Sequence, residues 1–103
     1  MKKLVRDRIP EIIANNGEDP IVRTLGKKEF KDALKVKLIE EVSEVAKSLS
    51  KKQLIEELAD VQEVMRSMYD AFGIECGDVT TCARKKRKER GGFSKRIYLE
   101  GVR

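Results

Sequence analysis

Two apolar stripes at helical spacing, separated by only a few residues, constrain this chain more than any other feature of it. From about Lys27 to Ser48, the residues Phe30, Leu34, Leu38, Val42, Val45 and then Leu49 recur at intervals of three and four, the signature of one helix face. Leu54, Leu58, Val61, Met65, Met68 and Phe72 repeat the pattern in a second long segment that opens at Ser50. Ser50 followed three residues later by Gln53 has the spacing of a capping box, so the second helix has its own start signal. A connection this short between two long helices forces them to run antiparallel as a hairpin.

The flanks add smaller elements. In KKLVRDRIPEIIANNG an extended start turns helical, with Asp7 as a candidate cap, Pro10 tolerated in the first turn and Gly17 closing it. DPIVRTLG then suggests a brief strand or extended connection around Ile21 and Val22. A fourth helix is expected from Cys76 or Asp78 to Arg90, stopped by Gly91-Gly92. The tail FSKRIYLEGVR alternates enough for a short strand that could pair with Leu4-Val5 or Ile21-Val22. The expected fold class is therefore all-α, one domain over residues 1–103, with short extended segments at the termini.

A chain of 103 residues that is 40% hydrophobic and lacks Trp builds a modest, mostly aliphatic core and gains by oligomerising. Ile39 and Val64 lie off the two stripes and suggest a second apolar face for a neighbouring subunit. Charges interrupt every apolar run, which argues against a membrane span or a secretory leader and for a soluble, cytoplasmic protein. Cys76 and Cys82 are too far apart for a Cys-x-x-Cys motif and no histidine exists to complete a zinc site, so both read as ordinary reduced thiols.

Charge is unevenly divided. Arg84 to Arg96 holds eight basic residues and one acidic, while the chain as a whole is only +5, so the remainder is net acidic. The acids concentrate on the hairpin: Glu40, Glu41 and Glu44 form Glu-Glu-x-x-Glu on the first helix, and Glu57 and Asp60 form Glu-x-x-Asp on the second. In wheel projection Glu41 lies about 60° from Leu38, and Glu57 about 100° from Leu58 and 60° from Leu54, so both border the apolar stripes. Facing carboxylates across a helix interface repel unless a cation offsets them. An oxygen-only donor set suits Mg²⁺, with Mn²⁺ as a substitute. The competing interpretation is a solvated face in a chain with 40% charged residues, with lysine pairs such as Lys37 and Glu41; spacing alone leaves both open.

The residues Glu40, Glu41, Glu44, a 12-residue spacer from Val45 to Glu56, then Glu57 and Asp60 resemble the motif of the MazG-like, all-α nucleotide pyrophosphohydrolase superfamily. That superfamily includes phosphoribosyl-ATP pyrophosphohydrolase and dimeric dUTPases. The start KLVRDRIPEII and the end KERGGFSKRIYL resemble its small, phosphoribosyl-ATP pyrophosphohydrolase-like branch, so the resemblance covers nearly the whole chain. It implies a four-helix-bundle core formed on dimerisation, as a homodimer or a dimer of dimers. It also implies Mg²⁺-dependent cleavage of the α–β phosphoanhydride of a nucleotide to give a monophosphate and pyrophosphate. Carried over by position, Glu41, Glu44, Glu57 and Asp60 match the metal ligands and Glu40 the remaining acidic position, which would orient or activate water.

In that chemistry Lys88, Arg90, Lys95 and Arg96, which flank the Gly-Gly turn, could converge on the entering phosphates. A helix C-terminus also favours cations without any ligand, which could account for Lys88 and Arg90. Arg6 and Arg8 are further candidates, but RDRIP reads better as a structural lock between the first helix and the tail. Met65, Met68 and Tyr69 read as core rather than as a base-stacking pocket. Two rival functions follow from the same residues. RKKRKER and a pI near 9.3 suggest a nucleic-acid-binding module, although sparse aromatics and the acidic hairpin make nucleic acid an unexpected partner. The other rival is a non-catalytic helical dimerisation protein.

Overall fold

A computed structural model of the chain describes residues 2–103. Among them are four helices and no strand: α1, Ile9–Asn15; α2, Lys27–Lys47; α3, Lys51–Phe72; and α4, Cys76–Arg90. The all-α expectation and the bounds of the two long helices agree with this order.

Local chemistry explains most of the boundaries. α1 begins after Arg8 with Pro10 in its first turn, and no side chain caps it, so Asp7 does not take the role its position suggested. Ser48 ends α2, its hydroxyl donating to the Val45 carbonyl at 2.8 Å. Ser50 then caps α3, its Oγ accepting from Gln53 N at 3.1 Å. The return bond of the expected box is displaced by one residue, because Gln53 Oε1 accepts from Leu49 N at 3.0 Å rather than from Ser50. Both donors are satisfied within three linking residues, which folds the chain back on itself. At the far end Gly73 sits at φ +65, a conformation open to glycine, and Ile74 N donates to Tyr69 O at 2.8 Å.

α2 and α3 pack on each other along their length, and this is the one extensive interface between helices among the described residues. Leu34 at 2% exposure and Val64 at 8% form its centre. The ammonium groups of Lys31 and Lys35 lie 5.3 and 5.4 Å from the centre of the Phe72 ring, fastening the end of α3 to the start of α2. Val64 was expected on a second face; it lies instead at the heart of the hairpin, while Ile39 is exposed. The reason is that α3 carries two apolar lines about 120° apart in wheel projection. The Val64 line faces α2, which leaves Leu54 and Leu58 of the expected core stripe turned outward with Val42 and Ile55.

The two expected strands do not form. Ile21 and Val22 are exposed in a connection without regular secondary structure, and residues 97–103 are likewise irregular and exposed, without a partner strand. The tail instead bends at a turn in which Arg96 N donates to Phe93 O at 3.0 Å. Ile97, Tyr98 and Leu99 are consecutive apolar residues, so neither face of a strand would be cleanly buried, and a lone edge without a ladder has nothing to hold it.

The chain exposes 9744 Å². A folded monomer of 11.8 kDa exposes about 5,900 Å². Its radius of gyration is 17.9 Å, against about 13 Å for a compact domain of this length. Much of the excess is apolar: Val42, Leu54, Ile55 and Leu58 on the hairpin, and Phe93, Ile97, Tyr98, Leu99 and Val102 on the tail. No helix is long and apolar enough to cross a membrane among the described residues.

Candidate metal centre

The antiparallel hairpin brings one carboxylate of α2 against two of α3. Glu41, Glu57 and Asp60 each offer an oxygen, and the three oxygens lie within 4.8 Å of one another. Glu57 and Asp60 are neighbours on α3 because they are three residues apart, and Glu41 faces them because it borders the packed side of α2. The solvated-face alternative fails for Glu41, whose side chain is only 14% exposed.

Two cations attend the edges of this group. Lys37 Nζ lies 3.1 Å from Glu40 Oε2 and 3.5 Å from Glu41 Oε1, bridging the adjacent acids from one turn earlier on α2. Arg6 Nη2 donates to Asp60 Oδ1 at 2.7 Å from the N-terminal segment. Glu57 has no ion-pair partner among the described residues. Desolvation first, then the charges of Asp60, Glu44, Glu41 and Glu56, hold its carboxyl above the usual carboxylate range. The centre therefore holds negative charge that its own lysine and arginine do not offset.

The donor set fits a hard divalent ion. Three carboxylate oxygens from two helices meet the preference of Mg²⁺ for oxygen, and their 4.8 Å spread is close to the roughly 4.2 Å between opposite oxygens around one such ion. Glu44, the fourth acid matching the metal-ligand positions, stands apart from the trio. It lies near Glu57 electrostatically, but its nearest cation is Lys47 at 4.0 Å. Glu40 lies at the rim on the Lys37 side.

Two open clefts flank the acids. One, of about 420 Å³, lies between the N-terminal segment and the hairpin and reaches Glu41 and Asp60 over a floor that includes Phe30, Leu34 and Val64. The other, of about 440 Å³, is lined by Lys3, Lys37, Glu40, Glu41, Ser43 and Glu44. The first lies within the 300–1,000 Å³ range of small-molecule sites.

The basic residues behave differently. Lys88 and Arg90 end α4, with Lys95 and Arg96 beyond the Gly-Gly turn, and all four are exposed without an ion pair to the acids among the described residues. Since α4 has no extensive packing on the hairpin, one chain does not bring these cations to the carboxylates. The contact that sequence reasoning missed is that of Arg6 with Asp60. The Lys37–Glu41 pair named from the sequence forms at i,i+4, and Lys37 reaches Glu40 at i,i+3 as well. Arg6 was read as locking the first helix to the tail; it reaches α3 instead, 54 residues away in sequence, and Arg8 pairs locally with Glu11.

The chain is similar to an uncharacterized protein of Mycolicibacterium smegmatis, at 53% identity over 45 residues that make up 44% of this chain and 46% of that one. It thus spans under half the length of that relative. No protein-family model matches the chain, and no solved structure matches it.

Proposed function

We propose that the protein is a Mg²⁺-dependent nucleotide pyrophosphohydrolase of the MazG-like kind, cleaving the α–β phosphoanhydride of a nucleoside triphosphate or related nucleotide. The observation that carries this proposal is the meeting of Glu41, Glu57 and Asp60 across the α2–α3 interface, with Glu57 uncompensated. Those three residues would hold the ion, with Glu44 completing the set. A bound Mg²⁺ would neutralise phosphate oxygens as the anhydride breaks. Glu40, at the rim and held by Lys37, orients the attacking water and accepts its proton. Lys88, Arg90, Lys95 and Arg96 bind the phosphates that leave.

The assembly proposed is a homodimer, or a dimer of dimers, in which the outward line of Val42, Leu54 and Leu58 meets its counterpart to complete a four-helix core. The excess exposed area supports it, and so does the polar character of the hairpin interface around Glu41 and Glu57, which leaves the apolar side chains at that end without cover. A second copy also offers a route by which a basic tail reaches the acids.

The test is a screen for Mg²⁺-dependent pyrophosphate release over canonical and modified NTPs and dNTPs and phosphoribosyl-ATP. Release is expected with at least one substrate and is lost in Glu57→Gln. Release from none of them refutes the hydrolase. A nucleic-acid-binding module has one observation in its favour, the full exposure of the cationic end of α4. It predicts tight binding to duplex or single strands with a steep salt dependence.

A further inference from the structure

We infer that Arg6 belongs to the substrate site: it neutralises Asp60 in the metal-free protein and passes to the phosphates of the nucleotide once that carboxylate is taken by a divalent cation. This rests on the proposed metal centre. Three observations place Arg6 there. Its guanidinium donates to Asp60 Oδ1 at 2.7 Å, so it already occupies the edge of the acid trio. The segment carrying it is not a loose end, because Leu4 and Val5 are half-buried and wall the 420 Å³ cleft that opens onto Glu41 and Asp60. Finally, the pair faces solvent, with Arg6 58% and Asp60 41% exposed at the side chain, so the contact is weak and exchangeable rather than a buried lock.

Chemistry supplies the direction of the exchange. A guanidinium stays charged at any working pH, so Arg6 cannot relieve crowding by losing a proton. With Asp60 committed elsewhere, it is left beside a like charge at the mouth of a cleft. Glu63, the other carboxylate close enough to feel Arg6, is already gripped by two nitrogens of Arg66, so the free anion Arg6 meets is the polyphosphate, whose oxygens match the planar fork of an arginine. Arg6 thus trades one oxyanion for another while Leu4 and Val5 keep the backbone in place. Arg8 also lines the cleft, but its partner is Glu11 on α1 and not one of the acid trio, so a cation at the trio does not displace it.

The experiment uses the full chain and two probes, Mn²⁺ alone and inorganic tripolyphosphate with saturating Mn²⁺, on wild type, Arg6→Ala and Arg6→Gln. Mn²⁺ binding is read by electron paramagnetic resonance and tripolyphosphate binding by calorimetry. With the competitor removed, Mn²⁺ binds about two- to fivefold tighter, the range open to an exposed ion pair. Tripolyphosphate binds about tenfold more weakly, the loss of a hydrogen-bonded charge. Mn²⁺ affinity that is unchanged or weaker in both variants overturns the inference, as does undiminished tripolyphosphate binding. Failure of wild type itself to bind Mn²⁺ overturns the metal centre as well, whereas normal Mn²⁺ binding by wild type with unaltered variants overturns only the role of Arg6.

Discussion

Lys37 and Glu41, one turn apart on α2, are both largely enclosed, at 19% and 14% side-chain exposure, with Nζ 3.5 Å from Oε1. A lysine this enclosed beside two glutamates is an internal counter-ion, and it shares the cleft beside the acids with Arg6. Replacing it by an apolar residue of similar length leaves Glu40 and Glu41 uncompensated. Lys37→Met is therefore expected to lower metal-free stability by about 1 kcal/mol. Added Mg²⁺ should restore most of that loss, because the ion offsets the same charge. Urea unfolding with and without Mg²⁺ measures both, and equal losses in the two conditions would separate Lys37 from the centre.

Glu57 makes the pH dependence specific. Desolvation and neighbouring acids raise its folded-state pKa above the ordinary 4.5. A raised carboxyl favours folding while it is protonated, and that contribution fades as pH rises through the folded value. The metal-free protein therefore carries a strained anion at neutral pH, and Glu57→Gln should melt at a higher temperature than wild type there, in chelator. The difference should narrow as the pH is lowered through the carboxylate range and Glu57 takes up its proton. A melting temperature at pH 7 that falls in Glu57→Gln would show that the charge is compensated by something other than metal.

The same crowding makes proton and metal competitors for one site. Mg²⁺ or Mn²⁺ that binds only the folded chain raises its stability by about 2.7 kcal/mol at a concentration one hundred times the Kd. That increment should shrink as pH falls through the raised Glu57 range, and it should be absent in Glu57→Gln and Asp60→Asn. Thermal melts across a Mn²⁺ series at pH 5 and pH 7 test this. Equal stabilisation at the two pH values, or stabilisation that survives both substitutions, would move the metal elsewhere.

The hairpin was legible in the sequence because its signals are local. Ser50 and Gln53 are three residues apart, and Gly73 and Gly91 stand where positive φ values of +65 and +81 end α3 and α4. Glu41 and Glu57 were placed at the border of the stripes by helical geometry alone; because the covered line of α3 is that of Val64, about 20° from Glu57 in wheel projection, Glu57 lies on that line and not at its edge. The choice between the Leu58 and Val64 lines of α3 was not legible, because both are apolar and only contact with α2 decides which is covered. The Arg6–Asp60 pair spans 54 residues and obeys no spacing rule. The tail failed as a strand because strand formation needs a partner that alternation does not supply.

Leu58 offers a clean probe of assembly. It is 48% exposed in the single chain, so Leu58→Asp should cost an isolated hairpin little. In a dimer joined along Leu54, Leu58 and Val42 the same change buries a charge against apolar side chains, which is severely unfavourable. Sedimentation should therefore show wild type at no less than twice the 11.8 kDa chain mass and Leu58→Asp shifted toward the monomer. Wild type sedimenting as a monomer would leave the exposed apolar line without this explanation.

Lys88 and Arg90 must be tested for both location and role, because one chain does not bring them to the acids. If they grip phosphates equally in the ground and transition states, Lys88→Ala and Arg90→Ala raise KM with little change in kcat. If they serve only the negative end of the α4 dipole, the same substitutions change helix stability slightly and leave KM alone. Mixing tells which copy they serve. In a heterodimer of Glu57→Gln with a Lys88→Ala, Arg90→Ala double variant, one chain keeps its acids and the other keeps its basic tail. At substrate well below the raised KM, activity rises on mixing if the tail of each copy lies over the acids of its partner. It stays at the low level of the double variant if each chain must fold its own tail back, because neither chain then has a complete set.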